Sequence, residues 1–144
     1  MWILKRLHEL GVSIDDLLMT YLSRVRVYLE QNVPLWHFSI TKILIKKIEN
    51  IQKASLYIIL GKLASPDYFC NLAMLNLQPL INRREILCKK FAKKTLKHPV
   101  HSKMFKFNHG RGTRSGRNVI VPPTKSARYE NSSIPSLAKL INSI

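Results

Sequence analysis

The chain has 144 residues, of which 46% are hydrophobic, and carries 24 Lys or Arg against 8 Asp or Glu, a formal net charge of +16. This length allows one small domain with a tail, and the hydrophobic fraction is enough for a modest core. Two cysteines, Cys70 and Cys88, are too few for a disulfide framework and favour a reducing compartment. The first residues lack a signal-peptide pattern, so we expect an intracellular protein, nuclear or cytoplasmic and not secreted.

The first third of the chain is predicted to be helical. Residues 1–10 form a short helical pattern that Gly11 closes. Ser13 then caps a second helix, and the acidic pair Asp15-Asp16 lies in its first turn, where the helix dipole favours negative charge. A period of 3.6 residues in the apolar positions carries this helix to about Asn32.

An apolar connector is predicted at residues 33–39. Pro34 disfavours a helical conformation at Val33, so the second helix should end before it. Trp36 is expected to pack down as an anchor. His37 can be read as a ligand or a base, but a histidine that satisfies a backbone carbonyl or meets water is the more economical interpretation.

The longest helical pattern covers residues 43–61 and is expected to form the central helix. Thr41 can cap its start, and Gly61 can adopt the left-handed turn that ends it. Helical spacing places one set of residues on the predicted inner side, namely Leu44, Ile48, Ile51, Ser55 and Ile58. The opposite side carries Lys46, Asn50 and Lys53. The segment is too short and too charged to cross a bilayer.

Two further helices are predicted downstream. Ser65-Pro66 resembles the start of a short helix, and Gln78-Pro79 opens a long one that runs to about Lys97 and ends at His98-Pro99. The inner face of the long helix is predicted from its apolar positions, which are Leu80, Leu87, Phe91 and Ala92. Lysines at helical spacing form a cationic strip along one flank, at Lys90, Lys93, Lys94 and Lys97.

The composition changes after the long helix. Residues 106–133 contain too little apolar surface to offset the entropy of ordering them, so we expect a disordered basic tail, with at most a short extended piece at 118–121. Residues 134–144 are expected to form a weak terminal helix. The predicted fold is therefore all-α: a small helical bundle over residues 1–105, a disordered basic tail over 106–133, and the terminal helix.

No catalytic constellation is evident, so we do not expect an enzyme, a cofactor or a metal site. Asp15-Asp16 is explained by capping and dipole chemistry, and no glycine-rich phosphate loop or nucleophile–base arrangement is present. The candidate metal ligands lack the close cysteine pair that zinc sites usually contain. These candidates are Cys88, His98, His101 and His109.

The basic charge is the feature that points toward a function. Residues 82–128 contain 14 Lys or Arg and a single acid, a net charge of +13. Such a segment favours RNA or DNA phosphates, bound independently of sequence, so that affinity falls as salt rises. The candidate phosphate-binding residues are Arg83, Arg84, Lys90, Lys93, Lys94, Lys97, Arg111, Arg114 and Arg117. A solubilising tail and binding to an anionic membrane are the alternatives, and we favour no membrane partner.

Several spaced motifs resemble the C-terminal region of reverse transcriptases encoded by jockey-like non-LTR retrotransposons. The motifs are Val-Pro-Leu-Trp-His at 33–37, Ile-Glu-Asn-Ile-Gln-Lys-Ala at 48–54 with Tyr-Ile-Ile-Leu-Gly at 57–61, Leu-Asn-Leu at 75–77, and the double-arginine segment 83–94 with Leu-Lys-His-Pro at 96–99. The match covers residues 1–107. The chain departs from the family at residues 62–69, where the family has a longer polar link.

This resemblance implies an origin in an RNA-directed DNA polymerase whose catalytic palm is absent from this chain. The family's metal site has an aromatic-x-Asp-Asp motif, whereas Ser13-Ile14 precedes Asp15-Asp16 here. We therefore expect no polymerase activity from this chain, a role in holding template or target phosphates, and the upstream polymerase domains as possible partners. The alternative is an inactive structural remnant with no independent biochemical activity.

Overall fold

The computed structural model describes residues 1–107 and 119–143. Within these ranges the chain is helical and has no strand, which confirms the all-α prediction. One isolated antiparallel bridge joins Phe107 and Val119. The α-helices are α1 Trp2–Glu9, α2 Ile14–Thr20, α3 Val27–Glu30, α4 Val33–Trp36, α5 Lys42–Leu60, α6 Tyr68–Met74, α7 Leu80–Lys97, α8 Ala127–Glu130 and α9 Ser133–Asn142. A π-helical segment, Tyr21–Arg26, connects α2 to α3, and 3₁₀ turns occupy Gly61–Leu63 and His101–Met104.

Two compact units divide the chain. The first unit comprises residues 1–31 and 41–83, and the second comprises residues 32–40 and 84–144. The division falls inside α7, between Arg83 and Arg84, rather than at the predicted boundary after residue 105.

The first unit is built on α1, α2, α5 and α6. Its buried core contains Leu4, Leu17, Tyr21, Leu56, Ile59, Leu60, Leu72 and Leu75. The predicted caps are present: the Ser13 side chain accepts a hydrogen bond from the Asp16 amide at 3.2 Å, and Thr41 accepts one from the Leu44 amide at 3.4 Å. Gly61 has a φ of +52° where α5 ends.

The buried side of α5 differs from the predicted one. Leu44 and Ile51 are exposed, whereas Gln52 and Leu56 are buried. Gln52 donates a hydrogen bond from Nε2 to the Gln78 carbonyl at 3.1 Å. This hydrogen bond to the segment before α7 is a tertiary contact that apolar periodicity does not reveal, although Ser55 of the predicted inner side is buried.

Glu49 provides a second contact between α5 and the start of α7 in the first unit. Its Oε1 accepts hydrogen bonds from the Tyr68 hydroxyl at 2.6 Å and from the Leu80 amide at 3.1 Å. The Leu80 amide begins α7 and has no partner inside that helix. A carboxylate on α5 therefore supplies the hydrogen bond that a capping residue would otherwise provide.

One predicted helix start was wrong, and one predicted connector contains a helical turn. The short helix α6 begins at Tyr68, because Asp67 rather than Ser65 accepts hydrogen bonds from its first amides. The helix end predicted near Asn32 is confirmed, because α3 ends at Glu30. Val33, however, begins the single turn α4 despite preceding Pro34, after Asn32 with its left-handed φ of +52°. Proline is compatible with the first turn of a helix, and this preference prevailed over its effect on the preceding residue.

The second unit contains α4, the later turns of α7, α8 and α9. Its buried core consists of Ala92, Phe105, Val119, Leu137, Ala138 and Ile141. The Ser39 hydroxyl donates a hydrogen bond to the Asn131 carbonyl at 3.0 Å, which joins the connector after α4 to the turn between α8 and α9. The predicted terminal helix is present as α9 and contributes three of the six core residues.

Part of the segment predicted to be disordered has a defined path. In residues 119–133, Val119 is buried and residues 127–130 form α8, so this part of the predicted tail has local structure. The reason is that α9 offers an apolar face on which Val119 packs, a contact outside the local composition. Residues 108–118 lie outside the described residues.

A candidate nucleic-acid interface on α7

Lysines form one face of α7, which we call the lysine face. The four predicted members, Lys90, Lys93, Lys94 and Lys97, are all exposed. A fifth exposed lysine, Lys89, shares this face and was missed, although its spacing of four residues from Lys93 was visible in the sequence. The opposite side of the helix is buried through Cys88, Ala92 and Thr95. Burial of one side therefore fixes the direction in which the lysines point.

No lysine of the lysine face forms an ion pair with a described acidic residue, although Glu85 lies one helical turn before Lys89. The ion pairs between described residues involve cations outside the lysine face, namely Arg6, Arg26, Arg83 and Lys139. Lys94 and Lys97 also lie in the last turn of α7, where the helix dipole stabilises positive charge. The face can therefore offer several ammonium groups to an anionic ligand without first breaking ion pairs.

Charge is distributed unequally between the two units. The second unit contains 14 Lys or Arg and the acids Glu85 and Glu130, a net charge of +12. The first unit contains 10 Lys or Arg and 6 acids, a net charge of +4. Most of the positive charge thus belongs to the unit that carries the lysine face.

Arg83, a predicted phosphate contact, is engaged within the first unit. Its Nε and Nη2 donate to the two carboxylate oxygens of Glu30 at 2.5 and 2.9 Å. The hydrogen bond from Arg83 to Glu30 raises the pKa of the guanidinium. Its charge is compensated, so Arg83 is a structural tie between the end of α3 and the start of α7.

Arg84, also predicted to contact phosphate, is fully buried in the second unit. Its guanidinium carbon lies 5.8 Å from the centroid of the Trp36 ring, within the range of a cation–π interaction. The prediction of an exposed phosphate contact is therefore wrong for Arg84. Helical spacing puts Arg84 in line with Cys88 and Thr95 on the buried side, a signal that the double-arginine motif obscured.

Arg111, Arg114 and Arg117 lie outside the described residues. The residues that flank them are held in place: the Ile120 amide donates to the Lys106 carbonyl at 2.7 Å, beside the bridge between Phe107 and Val119. Lys106 is exposed, as is Lys103 in the turn after α7.

The histidine and cysteine candidates form no metal-binding group in the described part of the chain. The rings of His98 and His101 stack with centroids 4.1 Å apart. Nδ1 of His98 accepts hydrogen bonds from the amides of Val100 and His101, so that nitrogen is occupied by the turn. Burial raises the pKa of the Cys88 thiol to about 11. His109 lies outside the described residues.

Comparisons with known proteins returned no match to a family model, a curated protein or a solved structure. No helix in the described ranges is long and apolar enough to span a membrane.

Proposed function

We propose that the second unit binds nucleic-acid phosphates without reading sequence, through the lysine face of α7. The observation that carries this proposal is the set of five exposed lysines that form no ion pair with a described acidic residue and face away from the buried side of their helix. Lysine contacts phosphate as a flexible point charge, so the expected contacts are electrostatic and independent of base identity. Arg111, Arg114 and Arg117 are proposed to add further contacts from the segment that follows.

We also propose that the chain descends from the C-terminal region of a non-LTR retrotransposon reverse transcriptase. The support is the ordered series of motifs, from Trp36 through the double arginine to His98-Pro99. In that setting the upstream polymerase domains are the natural neighbours, and the lysine face would help to hold a template or target. The proposed activity of this chain is binding, without nucleotide incorporation.

Fluorescence anisotropy with labelled RNA and DNA tests the binding proposal. Affinity should fall by about two orders of magnitude between roughly 50 and 200 mM salt if four phosphates are contacted. Replacing Lys90, Lys93, Lys94 and Lys97 with Gln should reduce the magnitude of the slope of log affinity against log salt by about 3 to 4. Affinity that does not respond to salt would contradict the proposal.

A matched control separates the lysine face from net charge. Helix α5 in the first unit also carries four exposed lysines, Lys42, Lys46, Lys47 and Lys53. Their replacement by Gln removes the same charge and should leave most of the affinity intact. Equal losses from both quadruple variants would mean that net charge, rather than the lysine face, governs binding.

The second candidate function is packing against other protein domains without independent activity. It is favoured by large apolar side chains at the surface of the first unit, such as Trp2 at 70%, Leu10 at 79% and Tyr28 at 75% exposure. Packing of another domain over this surface would remove their apolar area from water. Absence of any RNA or DNA binding at low salt would select this candidate over the first.

A further inference from the structure

Phe91 occupies an unexpected position on α7. Its place in the apolar pattern predicts an inward ring, yet its side chain is 37% exposed and belongs to neither apolar core of the described chain. The core residues of this helix turn lie at Ala92 and, half-buried, at Leu96. Phe91 therefore lies at the edge between the buried side and the lysine face.

Phe91 borders the lysine face through Lys94, while its other neighbours at helical spacing are Leu87, Cys88 and Thr95. Lys94 is three positions further on and so lies beside it, while Lys90 directly precedes it in the chain. An exposed aromatic ring at the edge of a face of exposed lysines combines the two elements used to bind single strands: a surface for stacking a base and charges for the adjoining phosphates.

The other aromatic side chains of this region are placed differently. Phe105 is buried, and Phe107 packs against the core of the second unit, so neither ring is free to stack on a base. Tyr129 is 43% exposed but lies on α8, away in sequence from the lysine face. Among the aromatic rings of α7 and the chain that follows it as far as Phe107, Phe91 is the one exposed beside lysines.

We propose that Phe91 stacks on an unstacked base while Lys90 and Lys94 contact the neighbouring phosphates, so that the ligand of the lysine face is single-stranded nucleic acid. This inference rests on the proposed function and specifies its substrate class. A duplex keeps its base faces stacked inside, and therefore offers nothing to the ring. Base stacking of this kind contributes about 5- to 150-fold in affinity by substitution, irrespective of base identity.

The test compares a thymidine oligonucleotide with an abasic oligonucleotide of the same length and backbone charge. In Phe91→Leu, affinity for the thymidine oligonucleotide should fall by about 5- to 150-fold, whereas affinity for the abasic one stays as in the unchanged protein. Phe91→Tyr, which keeps an aromatic ring, should retain affinity for both. Tyr129→Leu, which removes an exposed ring elsewhere in the second unit, should change neither.

The outcomes distinguish this inference from the proposed function. If the unchanged protein binds both oligonucleotides and Phe91→Leu binds them with unchanged affinity, the stacking role is overturned and phosphate binding stands. If a duplex of the same length competes more strongly than the single strand, the assignment of substrate class is overturned. If neither oligonucleotide binds the unchanged protein at low salt, the proposed function fails together with this inference. Circular dichroism of Phe91→Leu checks that a lost affinity does not arise from unfolding.

Discussion

Asn142 satisfies both backbone polar groups of Val119. Its Oδ1 accepts a hydrogen bond from the Val119 amide at 2.9 Å, and its Nδ2 donates one to the Val119 carbonyl at 2.9 Å. The side-chain amide thus acts as a short substitute for a neighbouring strand. Val119 is 2% exposed, so these backbone groups have little access to water. The last turn of α9 therefore holds the chain that returns after residue 118.

Removing this amide should destabilise the second unit. Asn142→Ala leaves the amide and carbonyl of Val119 without their partners in a buried setting, at an expected cost of about 1–3 kcal/mol in the free energy of unfolding. Urea denaturation measures the change. Asn50→Ala, at an exposed position of α5, is the matched control and should fall within about 0.5 kcal/mol of the unchanged protein. Equal stability of the two variants would show that the Asn142 hydrogen bonds contribute nothing.

Gly61 should resist substitution because of its backbone conformation. Its φ of +52° and ψ of −118° suit glycine and disfavour any residue with a Cβ. A Cβ at this position would lie 2.7 Å from Cε1 of His8, but the exposed His8 ring is free to turn away. Gly61→Ala should therefore cost about 1–3 kcal/mol.

The double variant His8→Ala, Gly61→Ala separates the two effects. Backbone strain predicts that removal of the imidazole restores little of the stability lost in Gly61→Ala, measured by thermal unfolding against His8→Ala alone. Full recovery in the double variant would assign the cost to the contact with His8 instead. Gly11→Ala is a second reference, for backbone strain without a steric contact, because Gly11 has a φ of +76° and a Cβ added to it would meet no atom within 4 Å.

Substitution of Arg83 should lower stability but not nucleic-acid affinity, whereas substitution in the lysine face should lower affinity but not stability. Arg83→Gln breaks the paired hydrogen bonds with Glu30, and should lower the free energy of unfolding by about 1–3 kcal/mol while leaving nucleic-acid affinity unchanged. Lys93→Gln removes an exposed lysine, and should lower affinity while leaving stability within about 0.5 kcal/mol. Anisotropy and urea denaturation on both variants provide the two readouts. Weakened binding in Arg83→Gln at a temperature where it remains folded would restore Arg83 as a phosphate contact.

Stability should fall in mild acid because of His37. Burial, followed by the positive charge of Arg84, lowers the pKa of His37 below its usual value. The folded state therefore binds this proton less readily than the unfolded chain does, so the contribution to stability is complete above about pH 6.5 and is lost as pH falls toward the folded pKa. In His37→Gln the decline of stability between about pH 7 and 5 should be shallower.

The control for this pH effect is His101→Gln, which changes an exposed histidine and should leave the decline as in the unchanged protein. Asp67 and Glu130, whose pKa values are lowered by hydrogen bonds from Cys70 and Lys139, act in a separate window. Their contributions to stability are lost only as pH falls below the usual carboxylate range of about 4, so they do not add to the decline of stability in mild acid. An identical decline in His37→Gln and the unchanged protein would remove His37 as its source.

The sequence alone determined the longer helices, the caps at Ser13 and Thr41, the glycine at the end of α5 and the outward direction of the lysines. Ser13, Thr41 and Gly61 act within a few residues of their own position, where capping chemistry and backbone freedom leave few alternatives. The lysines of α7 could be placed because a buried ammonium is costly and the apolar residues of the helix occupy the other side. These features depend on local interactions, which a sequence states directly.

Only the tertiary structure decided which side of α5 is buried, where Arg84 lies and what becomes of the chain after residue 118. Gln52, Glu49 and Asn142 each hydrogen-bond to backbone groups at least 23 residues away in sequence. Such partners have no periodic signature, because a polar side chain can be buried wherever a distant donor or acceptor satisfies it. For Phe91 the tertiary structure decided in the opposite direction. Its apolar character indicates a core position, but the core of the second unit contains Ala92, Leu137 and Ile141, and the Phe91 ring lies at the surface.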